Sequence, residues 1–308
     1  MIKMSLKILV PCLLTALVSC AQTGGGTSNK NMSYTTDETV IPREKQISYQ
    51  LAVHAGTGYE LFIDDVLCGF SLNEGTENSG ALLNAYLLGN GKHKLKIKIY
   101  PNEKNNQMAG EVLLEKVFLK EDKKVTLKSY PFMLKDKKTN REFSWEIDID
   151  DLPYHLKGWS EGRDLRKEDQ VALRKEVLDF YNHARLLYQD GGNADALVAL
   201  TKMAKMEKRV YDYKIKAVED YADQLEKEAY NRKTRMGPVE DYKMVIYGEG
   251  KLVALERNPI KTIAGYPKEG DFTHWSALIG HFEDGSGIYQ IPMLLYRPKA
   301  GAALERIR

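Results

Sequence analysis

The spacing of apolar residues changes twice along this chain of 308 residues, and that change of period constrains the fold more than any other feature. From about Gln46 to Asp150, apolar and polar residues alternate in short runs, the period of a half-buried strand. The clearest run is Lys92 to Tyr100: Lys92, Lys94, Lys96 and Lys98 share one face, and His93, Leu95, Ile97 and Ile99 the other. Asn90-Gly91 signals a turn before it and Pro101 closes it. Similar runs lie at Gln46–Ala55, Gly58–Ile63, Val66–Leu72, Glu111–Lys120, Lys123–Ser129 and Arg141–Ile149, with Asp64-Asp65 as a turn. Short strands at this spacing predict a sandwich.

From Arg163 to Lys233 the period becomes helical. Leu165 to Tyr188 reads as a first helix, Gly191-Gly192 breaks it, and Asn193 caps a second from Ala194 to Met206. Tyr211, Ile215, Val218, Ala222, Leu225 and Ala229 recur at steps of 4, 3, 4, 3 and 4 and predict a third, ended by Gly237-Pro238. Strand patterns then return. Tyr242–Tyr247 and Lys251–Glu256 flank Gly248-Glu249-Gly250, and Thr273–Phe282 and Ile288–Tyr296 flank Glu283 to Gly287, two hairpins. The expectation is a mixed chain: an N-terminal all-β sandwich-like domain over 46–152, then an α+β domain over 153–308. The latter would hold about three helices (163–233) and a four-stranded antiparallel sheet (241–297).

The amino terminus reads as processing rather than structure. Lys3 and Lys7 precede an uncharged run from Ile8 to Val18, too short to span a bilayer and interrupted by Pro11. The run ends in Leu17-Val18-Ser19-Cys20, which resembles the lipobox of bacterial lipoproteins. That resemblance implies removal of 1–19, lipidation of Cys20 and a membrane anchor through the N-terminal lipid. Several acyl chains, at about 0.8 kcal/mol per buried methylene, hold a protein firmly on a bilayer. Ala21 is not the Asp that implies inner-membrane retention in that family, and no acidic residue precedes Asp37. Both features imply the outer membrane, with the chain facing the periplasm. The segment 20–45 is Gly-, Ser- and Thr-rich at its start and reads as a flexible tether.

With 29% charged and 43% hydrophobic residues, 24 Gly and 10 Pro, the chain is neither disordered, collagenous nor a multi-span membrane protein. The formal net charge is +2, and loss of Lys3 and Lys7 would leave 43 charges of each sign. No basic field draws it to nucleic acid. Of the 3 cysteines, Cys12 would leave with the signal and Cys20 would be lipidated. Cys68 then has no partner for a disulfide and sits in an apolar stretch, where a thiol is inert.

Chemistry is sparse. The chain lacks Gly-x-x-x-x-Gly-Lys-Ser/Thr, Gly-x-Ser-x-Gly, His-Glu-x-x-His and Cys-x-x-Cys, which removes the common nucleotide, hydrolase and zinc-protease readings. Nothing calls for a cofactor or a metal. His274 and His281 stand seven apart and would face opposite ways on one strand, whereas His281 and Glu283 would share a face as an acid–base pair. Glu146, Asp148 and Asp150 line one face of a strand end beside Asp151: either a cation or basic-partner site, or a charged outer face. The Lys92–Lys98 row reads as protection of an edge strand. Tyr154, His155 and Trp159 lie between the two halves, where the aromatics form either a binding platform or a staple. His183 reads as half-buried on the first helix.

Together these features favour a lipid-anchored periplasmic binding protein without catalysis. The concrete version is an immunity protein with a toxin as partner. A glycan-binding accessory lipoprotein, stacking sugar on Trp159 or Trp275, is one alternative. A periplasmic hydrolase using His274 or His281 beside Glu283 or Asp284 is the other.

Overall fold

Alternation of the kind seen at Lys92–Tyr100 can be satisfied only if another apolar surface covers one face. The computed structural model describes residues 41–71, 79–101, 108–189, 194–213, 235–258, 273–282 and 287–308. Its first half supplies that cover with a second sheet. The strands are β1 (Ile47–His54), β2 (Gly58–Ile63), β3 (Val66–Ser71), β4 (Ser79–Leu82), β5 (Gly91–Tyr100), β6 (Ala109–Phe118), β7 (Lys123–Met133) and β8 (Arg141–Ile149). One four-stranded sheet runs β4-β1-β6-β7 and the other β3-β2-β5-β8, every pairing antiparallel. Leu95, Ile97 and Ile99 of β5 are fully buried in one core with Tyr49, Leu51 and Val53 of β1 and Val112 and Leu114 of β6. At about 1.5–3 kcal/mol per buried aliphatic side chain, this core is the main force joining the sheets.

Asp64 and Asp65 have φ of 47° and 62°, the left-handed pair of a two-residue turn whose twist matches the flanking strands. The Asp64 carboxylate accepts the Lys94 N–H at 2.8 Å and lies 2.6 Å from His93 Nδ1, so the turn is tied to β5.

The four lysines of β5 do not guard an edge. β5 lies between β2 and β8, and Lys92, Lys94, Lys96 and Lys98 stand directly opposite Asp148, Glu146, Ser144 and Glu142. Lys92 pairs with Glu146 of β8, while Lys96 and Lys98 pair with Asp65 and with Glu60 of β2, so the row is answered by carboxylates on both sides. β8 takes the edge instead. Asp151, next to the acidic row, pairs with Lys116 and accepts a hydrogen bond from the Tyr49 hydroxyl.

Two helices occur among the described residues of the second half, α1 (Gln170–Gln189) and α2 (Ala194–Tyr211). α1 begins later than its apolar pattern suggests, because two aspartates cap in succession. Asp164 caps a short 3₁₀ turn at Leu165–Lys167, and Asp169 then accepts the N–H groups of Val171 and Ala172 at 2.9 and 3.3 Å. α2 runs past the expected Met206 to Tyr211. The predicted third helix lies outside the described residues beyond Tyr213.

The strands that follow are β9 (Arg235–Met236), β10 (Tyr242–Tyr247), β11 (Leu252–Arg257), β12 (Ile279–His281), β13 (Ile288–Gln290), β14 (Leu295–Tyr296) and β15 (Glu305–Arg306). The first predicted hairpin is present, β10 pairing with β11 from Tyr242↔Arg257 to Tyr247↔Leu252. The second is much shorter. Only β12 and β13 pair, and together with β9 they form a three-stranded sheet; β14 leaves to join β10-β11-β14-β15. Pro292, with no N–H to give a ladder, follows the end of β13. The four strands expected in one sheet are therefore divided between two.

Leu173, Val177, Tyr181 and Ala184 of α1 form a buried stripe in one core with Val253 and Leu255 of β11 and Leu295 of β14. A third core mixes both halves of the sequence: Phe62 and Val66 with Trp159, Tyr247, Leu252, Tyr296 and Ile307. The fold is thus mostly β, with sandwich-like sheets and an α+β second half. All described residues belong to one compact unit.

Candidate functional site

β11 is buried along its whole length, so one face meets α1 and the other, carrying Leu252, Ala254 and Glu256, is also out of water. A carboxylate there needs partners. Glu256 has three: the Tyr247 hydroxyl donates to it, His274 Nδ1 lies 2.7 Å away, and Lys243 Nζ 3.7 Å away. On the sandwich, alternation turns Tyr59, Leu61 and Ile63 of β2 into the core and leaves Glu60 on the outer face. There Glu60 lies 2.8 Å from His274 Nε2 and 3.8 Å from Lys98 Nζ. His274 is the link. It sits in a turn with φ of 61°, its side chain 7% exposed, and the Phe70 ring of β3 packs 5.1 Å from it.

Burial alone pulls the His274 pKa down, but hydrogen bonds and charges from Glu256 and Glu60 outweigh it and raise the pKa to about 9. Glu60 is likewise burdened by burial, yet the bonds from His274 and Tyr100 and the charge of Lys98 hold it below the ordinary carboxylate value. Burial and the neighbouring Glu256 push the Tyr247 phenol far up, so it stays a neutral donor. At neutral pH the centre is a charged imidazolium donating both N–H groups, one to each carboxylate. Such a ring has no free lone pair. It cannot take a proton from a substrate or ligate a metal without first giving up one of its two carboxylates. Its chemical capacity in this geometry is to clamp β2 of the sandwich to β11.

The other sequence candidates are scattered. Tyr154 is 1% exposed and donates its hydroxyl to the Asn84 carbonyl at 3.1 Å. Trp159 is 5% exposed and lies under the Arg308 guanidinium, 5.0 Å from the ring centre. Both rings are buried, while His155 between them is exposed. His183 is exposed on α1, not half-buried, because it lies off the stripe of Val177, Tyr181 and Ala184. Trp275 is half-buried, and its carbonyl accepts the Arg257 N–H at 2.7 Å. His281 lies on β12 opposite Arg235 of β9. It does not share a strand with His274, since β12 begins only at Ile279. Cys68 is partly buried and donates to the Leu61 carbonyl at 3.3 Å; burial raises its thiol pKa far from neutrality. Cys20, Glu283 and Asp284 lie outside the described residues. No group of three metal-type ligands is assembled among the described residues.

Sequence reasoning singled out His274 but paired it with Glu283 or Asp284, and it missed Glu60, Glu256 and Tyr247. Glu256 had a readable signal: a carboxylate ends the apolar run Leu252-Val-Ala-Leu, whose lack of alternation marks a strand covered on both faces. Glu60 carried none beyond being acidic on a lysine-lined face. The chain matches no protein-family model, no curated protein and no solved structure.

Proposed function

We propose that this chain is a lipid-anchored, non-catalytic binding protein on the periplasmic face of the outer membrane, with a protein partner. Its most concrete form is an immunity protein that blocks a toxin stoichiometrically. The observation that supports the reading is the His274 clamp. The strongest acid–base cluster among the described residues spends its lone pairs and protons on joining two parts of the protein. It therefore serves shape rather than turnover.

Two further ties act in the same way. Arg308 pairs with the buried Glu207 of α2 and bonds the Ala85 carbonyl of the sandwich. Arg297 bridges Glu168 and Glu176. An inhibitor gains affinity when its surface is ordered before binding, because less side-chain and loop entropy is lost on association. The buried positions of Tyr154 and Trp159 weigh against the glycan platform, which needs open ring faces. The lipobox ending at Cys20 supplies the anchor, and 20–45 the tether.

Two measurements test this reading. Metabolic labelling with an alkyne fatty acid should label the wild-type chain in the membrane fraction and not Cys20→Ser. Unlabelled wild-type protein in the cytosol would end the location. Cross-linking in intact envelopes followed by mass spectrometry should then yield one protein partner at a fixed ratio. Turnover of an envelope substrate that disappears in His281→Ala would instead establish an enzyme.

A further inference from the structure

The two sheets of the sandwich end in four edge strands, β4 and β7 on one and β3 and β8 on the other. Three of them carry features that discourage a further strand from pairing. β3 and β4 are only 6 and 4 residues long, and Cys68 is an extra residue that shifts the ladder of β3. Leu127 is an extra residue in β7, where Pro131 also has no N–H to give. β8 has none of these. Its 9 residues pair with β5 from Arg141 to Ile149 without a shift, and none is a proline.

The bonding of β5 decides which backbone groups of β8 are spare. The Lys94 carbonyl accepts the Asp64 N–H at 3.0 Å, and the Lys94 N–H donates to the Asp64 carboxylate at 2.8 Å. Lys94 therefore turns both groups toward β2 and away from β8. In an antiparallel ladder the residue opposite such a position turns its own N–H and C=O outward, and the direction alternates along the strand. Glu146 stands opposite Lys94. Glu142, Ser144, Glu146 and Asp148 thus present their backbone groups at the open edge, where they meet no partner among the described residues.

The side chains prescribe what can pair there. The same four residues are exposed. Glu146 is held by Lys92, whereas Glu142 and Asp148 form no ion pair among the described residues. On the other face Phe143 and Trp145 are half-buried at the rim of the core and stack 6.2 Å apart. Phe132 of β7 lies 5.4 Å from Phe143, and Tyr130 of β7 5.4 Å from Trp145. A strand laid on this edge needs basic residues on one face and apolar residues on the other, the alternation that β5 already offers from the inner side. A second copy of β8 does not meet that need, because antiparallel pairing about Trp145 sets Glu142 against Asp148.

We propose that β8 is a docking edge for an extended segment of a protein partner in which Lys or Arg alternates with apolar residues. The segment adds one strand to the sheet: main-chain bonds supply affinity, and the alternating side chains supply specificity. Its cations face Glu142, Glu146 and Asp148, and its apolar side chains cover Phe143 and Trp145. The inference rests on the reading of this chain as a protein-binding one, and on neither the lipid anchor nor the immunity role.

The test uses the full chain and a capped synthetic peptide copying Lys92–Tyr100. The control peptide has the same residues with its lysines gathered at one end. Hydrogen exchange followed by NMR should show the amides of Glu142, Ser144, Glu146 and Asp148 slowed about tenfold or more when the copied peptide saturates the protein. Ser144→Pro removes one outward N–H and leaves every bond to β5; it should fold, checked by circular dichroism, and lose the peptide. Glu142→Gln combined with Asp148→Asn should weaken binding by about three- to tenfold at low salt. Equal binding of the control peptide, no binding of the copied peptide, or undiminished binding in folded Ser144→Pro overturns the proposal. Should Ser144→Pro fail to fold, unchanged exchange of the four amides in the peptide-saturated wild type overturns it equally. Protection of those amides that grows with protein concentration alone would give the edge to a second copy and overturn it too. Any of these failures closes this edge only; cross-linking in intact envelopes still decides whether the chain has a protein partner.

Discussion

A histidine with a carboxylate on each ring nitrogen gives stability a definite slope against pH. In the unfolded chain His274 takes its ordinary value of 6.5, and in the folded chain about 9. Folding is favoured by the proton it retains, so the contribution is complete below pH 6.5 and is lost as the pH rises through 9. The size is about 3 kcal/mol, at 1.36 kcal/mol per unit. Glu60 adds the opposite limb: held below 4.5, it contributes above that pH and is lost on acidification. Urea unfolding between pH 6 and 9.5 should therefore show the wild-type midpoint falling relative to that of His274→Gln, which lacks the titrating group. Parallel curves for the two proteins would mean that the ring is uncharged in the fold.

At the scale of elements, the ion pairs sort by burial. Arg308 and Glu207 are 8% and 1% exposed and join α2 to the sandwich, whereas Lys157 and Glu161 are each 70% exposed. Removing one partner of the buried pair leaves an uncompensated charge, so Arg308→Met should cost about 3–5 kcal/mol in urea unfolding. Lys157→Ala should cost less than about 1 kcal/mol. Equal costs would show that the Arg308 pair is solvated. The elements themselves were largely legible in the sequence, because each strand of the sandwich and the stripe of α1 must satisfy its own local period. Sheet order was not. The lysine row of β5 looks the same on an inner strand as on an edge, and only the acidic row of β8 opposite it decides. The division of the last strands between two sheets was hidden too, since it turns on Pro292 and on a left-handed turn at His274. The clamp was beyond local reading: Glu60 and His274 are 214 residues apart, and no spacing rule joins positions that only the tertiary fold brings together.

For the molecule as a whole, the mixed core of Phe62, Val66, Trp159, Tyr247, Leu252, Tyr296 and Ile307 makes the sandwich and the α+β part depend on each other. Unfolding followed by far-ultraviolet circular dichroism and by tryptophan fluorescence should therefore give coincident transitions. Trp145 reports on the sandwich, and Trp159 on the shared core. Two separated transitions would show independent domains. The clamp of His274 between Glu60 and Glu256 unites these parts, and the protonation of one ring decides it. Nitrogen-15 NMR of His274 in the intact protein should show both ring nitrogens carrying protons at pH 7 and a pKa near 9. A bare nitrogen at pH 7 and a pKa at or below 6.5 would contradict the clamp and return His274 to the candidates for a catalytic base.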